Sequence, residues 1–264
     1  MTFSPYTKVI KRNNNHSGIR THSIDRITPH CFVGQVTAER GLDVFYNSTG
    51  TTDPRSPNYV IGFDGKIGGA VPEEYRSWCS SSRANDQRAI TIEVASGTRD
   101  PYEFTDSAYE SLIILTVDIC KRYGKDKLIW ISDKDKAIAY EPKSNEMLVT
   151  VHRWFAPKSC PGNWLMNRMN SYVERVNLSL GNKPTGGTCM VEVRVCKVGD
   201  NNDSVKSLQS ILKAKGYKGQ NNKVLTLDGK FGENTKYAVG KFQSDNGMTA
   251  DYIVGTKTWT KLLN

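Results

Sequence analysis

The chain has 264 residues, 38% of them hydrophobic and 24% charged, with a formal net charge of +9. That is a globular composition with room for one sizeable core and a small second domain, and it excludes a disordered or fibrous chain. No apolar run is long enough for a membrane span, and the positive charge suits anionic polymers, but no nucleic-acid-binding motif accompanies it. Neither a membrane nor nucleic acid is therefore expected as a partner.

The first 27 residues are polar and basic and read as an arm, with His16 and His22 as surface or hydrogen-bonding histidines; the alternative is that His16 and Arg20 line a substrate groove. Ile24 to Val33 reads as a buried strand that delivers His30, and Val36 to Phe45 has helical spacing. The Gly-, Pro- and Ser-rich stretch that follows is a loop. Tyr59 to Phe63 is a strand, Asp64-Gly65 a hairpin turn, and Lys66 to Gly68 its return. Pro72 to Asn85 reads as irregular, and Ala89 to Val94 as a strand carrying Glu93. Asp106 to Tyr123 is an amphipathic helix capped by Thr105 or Asp106 and stopped by Gly124. Leu128 to Ser132 is a further strand, Glu146 to Val151 leads into the stretch that carries His152, and Trp164 to Leu178 is a last helix. The fold class is α/β, with a mixed central β-sheet flanked by helices.

Near Leu180 the texture changes to G-N-K-P-T-G-G-T, a linker by composition. Beyond it, Val205 to Lys213 and Tyr237 to Gln243 read as short helices. Two turns echo one another, Asp228-Gly-Lys-Phe-Gly-x-x-Thr235 and Asp251-Tyr-Ile-Val-Gly-x-x-Thr258. That points to a small all-α module with internal repetition. The expected domains are 1–180, a linker 181–190, and 191–264.

The stretch V-H-R-W-F-A-P-K-S-C-P places His152 eight positions before Cys160, with Lys158 between them. Imidazole and thiolate are good zinc ligands, and the prolines make this a loop able to fold both onto one metal. A third ligand must come from elsewhere, and His30 is the best placed. Three protein ligands leave one position open, which is how catalytic zinc is held. Six cysteines are scattered without a C-x-x-C pair, so reduced thiols are expected. Cys120 reads as core. Cys189 and Cys196 are near enough in sequence to pair, and no disulfide is assigned to them.

The ordered set of His30-Cys31, the Tyr59 hairpin, Asn85 before the Glu93 strand, and His152 with Lys158 and Cys160 resembles the zinc-dependent N-acetylmuramoyl-L-alanine amidases. The spacing is similar to the T7 lysozyme and peptidoglycan-recognition-protein branch. The tail pattern D-G-K-F-G-x-x-T-x-x-A-V-x-x-F-Q resembles a peptidoglycan-binding module. Such a pairing is common in phage endolysins and bacterial autolysins. Two departures stand out: Trp78-Cys79 where many members have Trp-His, and Tyr252 where the second tail repeat usually has glycine.

The resemblance implies a Zn2+ hydrolase that cuts the amide between N-acetylmuramic acid and L-alanine, with glycan strand and stem peptide as its partners. The metal ligands are then His30, His152 and Cys160. Glu93 is the base for the attacking water, Lys158 faces the developing oxyanion, and Tyr59 donates a hydrogen bond to the same region. The alternative is a non-catalytic peptidoglycan-binding or sensing protein on the same fold. A different hydrolase on this scaffold is a third reading. The N-terminal residues carry no apolar leader core. The expected setting is therefore the cytoplasm of an infected host followed by release to the wall, or secretion by a leaderless route.

Overall fold

The structure, a computed structural model, describes residues 2–182 and 195–263. Contacts divide the chain into two compact units, Met1–Gly187 and Thr188–Asn264. Among the described residues no helix is long and apolar enough to cross a membrane. The expected linker, 181–190, falls largely outside the described residues, and so does Cys189.

The first unit runs β1 (Thr7–Ile10), β2 (His16–Ile19), β3 (Arg26–Cys31), α1 (Ala38–Asn47), β4 (Tyr59–Ile61), β5 (Ile67–Gly69), β6 (Tyr75–Ser77) and α2 (Arg83–Arg88). It continues with β7 (Ala89–Val94), α3 (Asp106–Arg122), β8 (Lys127–Ile129), α4 (Lys134–Ala139), β9 (Glu146–Val149), α5 (Asn163–Met166) and α6 (Met169–Ser179). Seven strands form one sheet in the order β1-β5-β4-β7-β3-β9-β8, and β2 pairs with β6 apart from it. Only the β4–β5 hairpin is antiparallel within the large sheet.

The two central strands read R-I-T-P-H-C and A-I-T-I-E-V, and their register pairs Ile27 with Ile90, Thr28 with Thr91 and His30 with Glu93. Side chains alternate between faces of a strand. One face of this pair is therefore apolar, with Ile27, Ile90, Ile92 and Val94 in the main core against Leu112, Leu115 and Ile119 of α3. The other face carries Thr28, His30, Thr91 and Glu93. A buried strand pair in an α/β sheet is usually apolar on both faces, so this polar face is the departure that houses the site. Its threonine hydroxyls are hydrogen-bonded. Thr28 and Thr150 share a hydrogen bond of 2.7 Å, and the Asn85 amide bridges both hydroxyls at 3.0 Å each.

Three expectations are corrected. Residues 1–27 are not a loose arm: β1 pairs in parallel with β5, and buried Asn15 donates to Ser48 Oγ and the Arg55 carbonyl. The irregular stretch from Pro72 contains β6 and leads into α2, whose N-terminus is capped by the Ser82 side chain accepting from Asn85 N–H. The helix expected over Trp164 to Leu178 is broken, because Arg168 leaves helical geometry at φ −109°, ψ 2°.

The second unit holds α7 (Asp203–Ala214), α8 (Glu233–Asp245) and α9 (Thr256–Leu263) around Leu208, Leu212, Phe231, Phe242 and Trp259. The echo read from its sequence is a repeated clasp. Gln209 in α7 donates to Asp228 Oδ1, the Lys230 carbonyl and Thr235 Oγ1, and accepts from Gly229 N–H. Gln243 in α8 donates to Asp251 Oδ1, the Ile253 carbonyl and Thr258 Oγ1, and accepts from Tyr252 N–H. Gly229 and Tyr252 occupy the same left-handed position, at φ +74° and +60°. A tyrosine there is strained where glycine is not. Its ring lies against Gly240, where a Cβ would come within 2.5 Å of Tyr252 Cε1.

Candidate metal centre

His30 and Glu93 are neighbours because β3 and β7 pair in parallel with these two residues in register. Both sit one residue from their strand's carboxyl end, where open α/β sheets bind ligands. His152 opens a short helical turn just after β9, itself parallel to β3. The chain then doubles back: Arg153 N–H donates to the Cys160 carbonyl at 3.1 Å, and the Arg153 guanidinium also holds the Ser159 carbonyl. That loop explains the eight-residue spacing, since it returns Cys160 to the side of His152.

The ligand atoms of His30, His152 and Cys160 lie within 4.8 Å of one another. His30 Nδ1 is 3.3 Å from Cys160 Sγ. Zinc–nitrogen and zinc–sulfur bonds of roughly 2.0 and 2.3 Å in a tetrahedron put such donors about 3.5 Å apart. Burial, and His152 beside it, hold the His30 imidazole neutral, with its pKa well below the ordinary histidine value. Burial also lowers His152, with Lys158 adding to the effect. Burial and the neighbouring Cys31 push the Cys160 thiol well up; a bound cation inverts that preference and takes the thiolate. Two neutral imidazoles and a thiol are a donor set that fits zinc.

Glu93 Oε1 stands 3.8 Å from His30 Nδ1. Burial, and then Cys31, push its pKa up to about 8. Lys158 is exposed and lines the same groove, which also takes in Trp78, Arg76 and Arg83 and has a volume of about 740 Å³. Tyr59 is elsewhere, and its expected hydrogen bond at the site is corrected. It pairs with Ile92 and so faces away from Glu93. It is fully buried, and its hydroxyl donates to Glu73 at 2.5 Å while accepting from Ser4 N–H.

Sequence reasoning left three contributors out of the site. Cys79 Sγ is 3.5 Å from His30 Nε2 and 3.8 Å from Glu93 Oε1. Ser81 Oγ is 3.0 Å from His152 Nε2. Asp86 shapes the loop that carries both, accepting from Cys79 N–H, Ser80 N–H and Ser80 Oγ. The one signal available was the departure at Trp78-Cys79. No periodicity marks a loop whose shape is set by one buried carboxylate.

A family model described as N-acetylmuramoyl-L-alanine amidase matches residues 20–163, and one described as a putative peptidoglycan binding domain matches residues 201–262. A Kitasatospora aureofaciens protein named for the bpoA1 3′ region is 42% identical over 64 residues, which are 24% of this chain and 50% of that one. The chain thus spans about half the length of that curated relative. Among solved structures, PlyL is similar with 13% identity and a TM-score of 0.47, over 64% of this chain and 95% of that one. An AmpD structure gives 20% and 0.44, over 65% and 96%. The N-acetylmuramoyl-L-alanine amidase LysC from Clostridium intestinale URNW gives 18% and 0.42, over 67% and 100%.

Proposed function

Because the chain belongs to the N-acetylmuramoyl-L-alanine amidase family, we propose that its first unit hydrolyses the amide joining N-acetylmuramic acid to L-alanine in bacterial peptidoglycan. In this reading His30, His152 and Cys160 hold a zinc ion, and the second unit keeps the enzyme on the wall. A zinc ion bound there supplies Lewis acidity to the scissile carbonyl and to the attacking water.

The observation that carries the proposal is the meeting of three donors with one carboxylate that, among the described residues, has no lysine or arginine in contact. Glu93 accepts the proton of the attacking water and returns it to the leaving amine nitrogen of L-alanine. Its partial exposure, 14% of the side chain, opens it to the groove. Lys158, on the groove rim, faces the negative charge that develops on the carbonyl oxygen. Cys79 and Ser81 touch Nε2 of His30 and of His152 and hold the two rings in place. The groove is of a size that buries a muramyl-peptide segment. A setting in phage lysis belongs to the same proposal.

The test is digestion of purified cell walls by the zinc-loaded chain, followed by mass spectrometry of the fragments. The expected products carry new L-alanine amino termini and no new reducing sugar ends. Chelation should stop the reaction and zinc restore it. Walls that are bound but left intact by the zinc-loaded chain would instead establish the non-catalytic alternative.

A further inference from the structure

A cleft of about 470 Å³ opens in the second unit, and nothing so far gives it a role. One wall is α8, where Tyr237, Lys241 and Asp245 recur at a spacing of four and so share a face. The other wall is the turn that ends α7. Gly216 is left-handed at φ +85°, its N–H donates to the Lys213 carbonyl, and Tyr217 N–H reaches back to the Leu212 carbonyl. This is a Schellman stop, and it fixes the flanking residues. Tyr217 is anchored further by its edge-to-face contact with Phe242, at 5.3 Å and 78°. The cleft is therefore bounded by rigid elements.

Its chemistry is uneven. Lys241 is already paired with Asp245 at 2.6 Å. Lys215 and Lys218 are exposed, and no carboxylate pairs with either among the described residues. Tyr237 leaves 49% of its surface open. Two tyrosines offer flat apolar faces with a polar tip, and two ammonium groups at one end lack a counter-charge. Asp245 adds an acceptor for hydroxyls.

We infer that this cleft is the ligand site of the second unit and that it takes a saccharide bearing an anionic group. The sugar ring lies against Tyr237 and Tyr217, and the anion is held by Lys215 and Lys218. This deepens the reading of residues 201–262 as a wall-binding module and rests on it. The anion has two sources in a bacterial wall, the carboxylates of the glycopeptide and the phosphates of accessory polymers.

The experiment is co-sedimentation of the full chain with purified walls, using a Cys160→Ser background so that the walls are not digested. Tyr237→Ala and the double variant Lys215→Glu, Lys218→Glu should each weaken binding about tenfold or more. The double variant should also flatten the salt dependence. A charge-matched control, Lys257→Glu with Lys261→Glu on α9, should bind like the parent. Equal loss in the control, or no loss in the cleft variants, overturns the cleft. Amide hydrogen exchange with soluble wall fragments separates the two readings. Protection within 195–263 but away from the cleft keeps the module and removes the cleft, whereas no protection in 195–263 removes both. Walls stripped of phosphate polymers, and walls with amidated carboxylates, name the anion by which treatment abolishes binding. Full binding to walls given both treatments overturns the anionic ligand.

Discussion

Glu73 and Glu93 are both withdrawn from water in the first unit, and their neighbours differ. Glu73 is fully buried. The Arg122 guanidinium grips both its oxygens at 2.6 Å, and the Tyr59 and Tyr123 hydroxyls donate to it at 2.5 and 2.8 Å. Its charge is neutralised and every lone pair is used. Glu93 has no guanidinium or ammonium in contact among the described residues, and its nearest ionisable neighbours are the neutral His30 imidazole and the Cys79 thiol, each at 3.8 Å. Burial raises it to about 8. A carboxylate kept in such surroundings costs stability, and the fold carries that cost where a groove opens onto it. The first glutamate ties the N-terminal segment, β4 and α3 together; the second, in the proposed mechanism, is left with protons to exchange.

Substitutions sharpen that contrast. Glu93→Gln should lower the rate of wall hydrolysis by about 10² to 10⁴, while the thermal midpoint stays level or rises; a fall in stability with the rate unchanged would reverse the assignment. Lys158→Ala should lower the rate by about 10² to 10³ without altering zinc affinity, measured by chelator competition. Glu73→Gln should do the opposite of Glu93→Gln. It strands Arg122, and denaturant unfolding should show a loss of about 3 kcal/mol, near the low end because Asp118 still pairs with Arg122 at 2.8 Å. Activity per folded molecule should be unchanged. Cys79→Ala should weaken zinc binding by about 10- to 100-fold, and Cys79→Ser should recover most of that, because a hydroxyl can still meet His30 Nε2. Equal zinc affinity in Cys79→Ala and the parent would show that the thiol only fills space.

The meeting of the three proposed metal donors was legible because His152 and Cys160 share one short loop and His30 lies near the end of a strand of strong pattern. Glu93 was legible as a charge in an apolar run. Tyr59 was misplaced for a related reason: a strand tyrosine near the right motif looks catalytic until the register is known. Pairing with Ile92 and not Glu93 sends its hydroxyl to the other side of the sheet. The tail repeat was visible in two spaced Asp-to-Thr turns, but the glutamines that hold them lie in the preceding helices, 19 and 8 residues from the aspartates.

By itself the sequence determined the α/β class, the helical tail, and which side chains are proposed to carry the chemistry, because residue type and local period depend on near neighbours alone. Strand register, the loop shaped by Asp86, and the environments of Glu73 and Glu93 were decided only in the tertiary structure. Each of these is a contact between distant segments, and whether a buried charge meets a cation or a groove has no local signature.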